Sequence, residues 1–119
     1  ACTVLFNGGP IRSCLMFAVQ ADGAAITTVE GISEGYRLHP LQESFRECHA
    51  LQCGYCTPGF LMTLTAFFRD RTDAREEEIH KAIAGNLGRC TGYQNIVAAA
   101  MNFIERSKTK CEPNTSERA

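Results

Sequence analysis

The rhythm of hydrophobic and polar positions changes once along this chain, near residue 40. Before that point short runs of strand-type residues alternate with turn residues. Thr3-Val4-Leu5-Phe6 is followed by Asn7-Gly8-Gly9-Pro10 and then by Ile11-Arg12-Ser13. Asn-Gly between two such runs predicts a hairpin. Ile26-Thr27-Thr28-Val29 is a further β-branched run, of the kind strands favour. Residues 31–39, with Gly31, Ser33 and Gly35 ahead of Pro40, read as a connector.

From Pro40 onward the period is helical. Pro40 suits a first helical position, and Leu41, Phe45 and Cys48 share one face. A second helix is expected from Thr57 as N-cap and Pro58 at the first position, with Phe60, Leu61, Leu64, Phe67 and Phe68 as its apolar stripe. A third is expected from Asp73 as N-cap with Glu76 three residues on, a capping-box pattern. Its acidic first turn (Glu76, Glu77, Glu78) suits the positive end of a helix dipole. A fourth is expected from Thr91 with Gln94 completing the box. Tyr93, Ile96, Val97, Ala100, Met101 and Ile104 then follow at amphipathic spacing. Four short helices with short links predict a small bundle. Residues 107–119 are polar and aperiodic and read as a disordered tail.

Composition narrows the function. The 119 residues are 45% apolar and 21% charged, with a formal charge of −1. Such a balance offers no basic field to a nucleic acid or an anionic membrane. No run of about eighteen apolar residues is present to span a bilayer. Seven cysteines in this length leave a disulfide framework or a metal framework. Gln52-Cys53-Gly54-Tyr55-Cys56 contains a ligand-type pair, and the helical periodicity is unlike a disulfide-dense secreted domain. The metal reading is therefore the stronger.

The chemistry gathers at two helix starts. Cys56 immediately precedes Thr57, and Cys90 immediately precedes Thr91. An iron–sulfur cluster held by thiolates is an anion. Helix N-termini present free N–H groups and about half a positive charge, and hydrogen bonds to sulfur tune its potential. Gly54, Gly59 and Gly92 allow backbone amides to approach sulfur closely. A zinc-binding structural module using Cys53, Cys56, Cys90 and His49 is the alternative metal reading.

Gln52-Cys53-Gly54-Tyr55-Cys56-Thr57-Pro58-Gly59 and Gly85-Asn86-Leu87-Gly88-Arg89-Cys90-Thr91-Gly92-Tyr93 resemble the signature of the small iron–sulfur subunit of molybdenum hydroxylases. That family includes xanthine dehydrogenase, aldehyde oxidoreductase and aerobic carbon monoxide dehydrogenase. The resemblance runs from Ala1 to about Ile104. It implies an α+β chain: a truncated plant-ferredoxin-like (β-grasp) fragment over residues 1–30, the connector 31–39, and a four-helix [2Fe–2S]-binding bundle over 40–106. It also implies that Cys53, Cys56 and Cys90 ligate one cluster. Cys2 and Cys14 match the last two positions of the C-x4-C-x2-C…C set of a ferredoxin-type cluster. Its other two ligands are expected upstream of Ala1, in a part of the protein that this sequence does not include.

By the same resemblance Gln52 and Cys90 approach the molybdopterin, and Arg89, between two ligand positions, lies at the cluster or a subunit interface. The partners implied are a molybdopterin-binding large subunit and an FAD-binding medium subunit. The implied role is to relay electrons from the molybdenum centre through [2Fe–2S] clusters to FAD, as the non-hydroxylating subunit of an oxidoreductase. A cytoplasmic location is expected, with an export signal ahead of Ala1 left open. One position departs from the family pattern. Cys-Arg-Cys is expected where this chain has Gly88-Arg89-Cys90, which puts the fourth ligand in doubt and keeps a cluster-deficient copy open. Cys48 reads as a core residue, Cys111 as a surface thiol, and His39 and His80 as solvated. The charged run from Arg69 to Lys81 reads as a solvent face.

Overall fold

Asn7 and Gly8 both adopt positive φ, 50° and 89°. That is the type I′ geometry whose twist matches paired strands, and it makes the predicted hairpin. The structure is a computed structural model that describes residues 1–71 and 73–110. Strand β1 (Thr3–Phe6) pairs antiparallel with β2 (Gly9–Arg12), in the register Thr3 to Arg12 and Phe6 to Gly9. The second strand thus begins two residues earlier than the sequence suggests. Pro10 is tolerated inside it because the sheet order β2-β1-β3 makes β2 an edge. The short β3 (Ile26–Thr27) pairs with the other side of β1. Asn7 ties down the approach to β3, its backbone N–H donating to Ala25 O at 2.8 Å and its Oδ1 accepting from Ala25 N at 2.9 Å.

The hairpin does not stand uncovered. Thr3 and Leu5 point to one face of β1 and are buried, and that face packs on the second helix.

Four α-helices follow among the described residues: α1 (Pro40–Glu47), α2 (Thr57–Asp70), α3 (Glu76–Ala82) and α4 (Gln94–Lys110). The architecture is α+β, a small antiparallel sheet laid on a helical unit. The apolar stripes read from the sequence meet in one core that includes Leu41, Phe45, Phe60, Leu61, Leu64, Ile79, Ile96 and Ile104. Each large side chain buried there contributes about 1.5–3 kcal/mol of transfer free energy. Helices α1 and α4 are also joined by a hydrogen bond, the fully buried Ser44 hydroxyl donating to Asn102 Oδ1 at 2.8 Å.

Three predicted helix starts move. The N-cap of α2 is Cys56, already in the αR region, so Thr57 is its first helical residue. Helix α3 starts at Glu76 behind an extended Arg75 that makes no side-chain cap. Asp73 instead pairs with Lys108 at 2.9 Å. Helix α4 starts at Gln94, because Gly92 and Tyr93 take positive φ values of 62° and 69° that an α-helix cannot contain. The predicted tail is corrected at its start, since residues 107–110 continue α4. Residues 111–119, Cys111 among them, lie outside the described residues. Among the described residues no helix is long and apolar enough to cross a membrane.

Candidate metal centre

The loop carrying Cys53 is aimed by the end of α1. Ala50 N donates to Phe45 O at 2.9 Å and His49 N to Arg46 O at 3.3 Å, with His49 at φ 54°. This is the paired closure that ends a helix through a left-handed residue. It turns the chain sharply into residues 51–56. Cys53 is exposed there, and Gly54, at φ 82°, bends the loop back toward α2. The backbone N–H of Tyr55 on the Cys53 sulfur lowers that thiol's pKa, aided by the thiol of Cys90. Cys56, at the entry of α2, differs. Burial raises its pKa, and the nearby charges of Cys53 and Cys90 add to the rise against its own backbone N–H.

The second loop, between α3 and α4, is pinned by buried polar groups. Asn86 is buried. Its Oδ1 accepts from Thr63 Oγ1 of α2 at 2.9 Å, and its Nδ2 donates to Thr3 Oγ1 of β1 at 3.5 Å. Arg12 of β2 donates to Thr3 Oγ1 at 3.0 Å and to Gly85 O at 2.8 Å. The loop then passes Gly88, whose N–H donates to Tyr93 Oη at 3.2 Å. Thr91 Oγ1 accepts from Tyr93 N at 3.1 Å, so the predicted cap acts on the turn before α4 rather than on the helix itself. The Tyr93 ring stands edge-on to Phe60, with centroids 5.9 Å apart.

These two loops bring sulfurs together. Cys53 and Cys90 Sγ are 3.5 Å apart, although 37 positions separate them in sequence. Cys56 faces the other position of the motif: a Cβ placed on Gly88 would lie 2.9 Å from Cys56 Sγ and 3.2 Å from Phe60 Cε2. Cys56 Sγ thus lies against the place where a side chain at position 88 would begin. At the hairpin, Ser13 N donates to Cys2 O at 3.0 Å, and the next residue, Cys14, brings its Sγ to 3.3 Å from Cys2 Sγ. The thiol of Cys14 lowers the pKa of Cys2, while its bond to Cys2 raises that of Cys14.

Of the other residues singled out from sequence, Gln52 and Arg89 are exposed beside these cysteines. Cys48 is partly buried against the core. His49 serves α1 through its backbone, and its carbonyl accepts from Asn95 Nδ2 at 3.1 Å. His80 faces Glu76 at 3.7 Å on the surface. His39 is not simply solvated. Its Nδ1 accepts from Leu41 N at 3.1 Å, Gln42 Oε1 accepts from His39 N at 2.8 Å, and its ring stacks on Phe103. Thr3, Arg12, Thr63 and Asn86 carry no site role in the sequence reading. Asn86 was within reach, lying inside the motif that carries Cys90.

Among the described residues no group of three or more His, Cys, Asp or Glu side chains is arranged to hold a single metal ion, the arrangement a structural zinc site needs. A [2Fe–2S] cluster asks instead for two donors on each of two irons. Cys53 with Cys90 meets that for one iron. Thr57 Oγ1, buried without a hydrogen-bond partner among the described residues, is one residue from Cys56, a spare donor suited to an anionic group. A second pair would need a donor at position 88 beside Cys56, where this chain has a glycine. Cys2 and Cys14 supply one further pair.

A small sheet laid on a helical unit, with loops that bring cysteine sulfurs to 3.3 and 3.5 Å of one another, is an arrangement suited to thiolate metal binding. Residues 28–101, more than half of the chain, match the [2Fe-2S] binding domain family. The chain belongs to that family, among the small iron–sulfur subunits of molybdenum hydroxylases. The beta subunit of the 6-hydroxypseudooxynicotine dehydrogenase complex of Paenarthrobacter nicotinovorans is 53% identical over 108 residues, covering 86% of this chain and 64% of that protein. The nicotinate dehydrogenase small FeS subunit of Eubacterium barkeri is 49% identical over 106 residues, covering 89% of this chain and 68% of that protein. The crystal structure of quinoline 2-oxidoreductase from Pseudomonas putida 86 superposes with a TM-score of 0.85 at 45% identity, covering 93% of this chain and 69% of that one. The chain thus spans roughly two thirds of the length of these proteins.

Proposed function

We propose that this chain is the electron-transferring iron–sulfur part of a molybdenum hydroxylase. In this reading Cys53, Cys56 and Cys90 hold the cluster of the helical bundle, and Cys2 and Cys14 contribute to a ferredoxin-type cluster. When bound, such clusters supply one-electron transfer. Electrons would arrive from a molybdopterin-binding large subunit, beside exposed Gln52 and Cys90, and leave toward an FAD-binding medium subunit. The complex is assigned to the cytoplasm. Relatives named for nicotinate and quinoline support a nitrogen heterocycle as the substrate class.

The carrying observation is the Cys53–Cys90 pair at 3.5 Å with Cys56 set against residue 88. One close thiol pair, with a third thiol set against the neighbouring position of the motif, suits a two-iron group better than a single zinc ion. What this chain's own residues do is local. The Tyr55 N–H stabilises the Cys53 thiolate, Gly54 shapes the loop, and the Tyr93 hydroxyl fixes the backbone at residue 88.

The test is anaerobic reconstitution of the Gly88→Cys chain with iron and sulfide, in a Cys2→Ser/Cys14→Ser background. A brown protein with about two irons per chain and a reduced [2Fe–2S] EPR signal is the expected result. Tight binding of one zinc ion, with no uptake of iron and sulfide, would overturn the reading.

A further inference from the structure

We propose that Gly88 leaves an open coordination position beside Cys56, and that a small thiolate from solution fills it. The inference rests on the cluster reading above and concerns what this chain does where its ligand set is incomplete.

The two halves of the set are unequal. Cys53 and Cys90 are exposed and lie 3.5 Å apart, ready to share one iron. Cys56 has no such companion. The place where its companion would start lies 2.9 Å from its own sulfur, so the thiol of Cys56 has swung into room that a residue-88 side chain would use. What is missing there is only a methylene and a sulfur, and iron of this kind prefers thiolate donors.

Among the described residues neither of the two nearest candidates in sequence is poised to substitute. Cys48 packs against the core, and His49 is fixed in the left-handed turn that ends α1. A cleft of about 590 Å³ lined by Leu87, Gly88, Arg89, Gly92 and Tyr93 meets the chain at residue 88 itself. The backbone there is held by the Gly88 N–H to Tyr93 Oη bond. The exposed Arg89 next to it places a cation where an anionic ligand would enter. The ligand class is therefore a small, unbranched alkyl thiol. It binds as the thiolate and releases its proton to solvent, with no change of oxidation state.

The experiment compares the full chain, in the Cys2→Ser/Cys14→Ser background, with the same chain carrying Gly88→Cys. Both are reconstituted anaerobically with ferrous iron and sulfide in a non-thiol reductant, with and without 2-mercaptoethanol, and ethanol serves as the control for solvent effects. Iron and sulfide per chain and the visible spectrum are read after desalting into the matching buffer. The expected result is that the Gly88 chain holds about two irons only with the thiol, while Gly88→Cys holds them in either buffer. Equal iron content of the Gly88 chain with and without thiol overturns the open position, as does failure to load with thiol while Gly88→Cys loads. Failure of both chains overturns the cluster reading along with it.

Discussion

Arg12 of the hairpin edge donates across to the carbonyl of Gly85, 2.8 Å away and 73 positions later in the chain. Arg12 lies two residues from Cys14, and Gly85 opens the loop that carries Gly88 and Cys90. One guanidinium therefore ties the sheet with the Cys2–Cys14 pair to the loop with the Cys53–Cys90 pair. Arg12→Ala is expected to loosen the loop without unfolding the bundle. Hydrogen exchange at the amides of residues 85–92 should rise, while the amides in the middle of α4 keep their protection. Uniform loss of protection would show that the bond supports the whole fold instead.

Asn86 carries the buried half of the same link. Asn86→Ala strands the Thr63 hydroxyl, which donates to it at 2.9 Å. An unsatisfied buried hydroxyl costs about 1–3 kcal/mol, and the urea midpoint should fall accordingly with an unchanged slope. The double change Thr63→Val/Asn86→Ala removes both partners and should lose less than the sum of the single changes.

His39 makes the fold sensitive to mild acid. Burial lowers its pKa, and its Nδ1 must stay unprotonated to accept from Leu41 N. The stabilisation is complete above the ordinary histidine pKa of about 6.5 and is lost as pH falls from there through the lowered folded value. His39→Asn keeps a capping acceptor that does not titrate. Urea titrations at about pH 7 and about pH 5 should show a smaller difference for the variant than for the unaltered chain. An equal difference would assign the acid sensitivity to other groups.

His49 holds a position that favours glycine. At φ 54° a side chain is strained by roughly 1–2 kcal/mol, partly offset by the entropy that glycine loses on folding. His49→Gly is expected to stabilise the chain by about 0.5–1 kcal/mol and to leave iron loading of the Gly88→Cys chain unchanged. Loss of iron in that variant would make His49 a ligand.

The helices were legible because their apolar spacing is regular. Leu41 and Phe45, Phe60 to Leu64, and Ile96 to Ile104 all reach the core that their period implies. Their first residues were less legible, because a capping residue competes with its neighbours' backbone. Thr91 looks like a cap in sequence, yet positive φ at Gly92 and Tyr93 turns its hydroxyl toward a tighter bend. Asp73 finds Lys108 instead of a helix end. The cysteines of the site could be picked out by spacing, but which sulfur faces which could not, since that depends on how the ends of α1 and α3 aim their loops. The link through Thr3, Arg12, Thr63 and Asn86 joins residues up to 83 positions apart, and no local pattern carries such a contact.

The Cys53–Cys90 pair also sets a timetable. Its two sulfurs lie 37 positions apart, one ahead of α2 and the other just ahead of α4. A chain leaving the ribosome exposes Cys53 and Cys56 well before Cys90, and at about 5–20 residues per second that interval lasts seconds. Throughout it the early thiols stand without their partner, open to oxidation or to the wrong metal. In the cluster reading proposed above, iron is held only once the loop after α3 has brought Cys90 to Cys53, which makes assembly of that centre a late event in the life of the newly made chain.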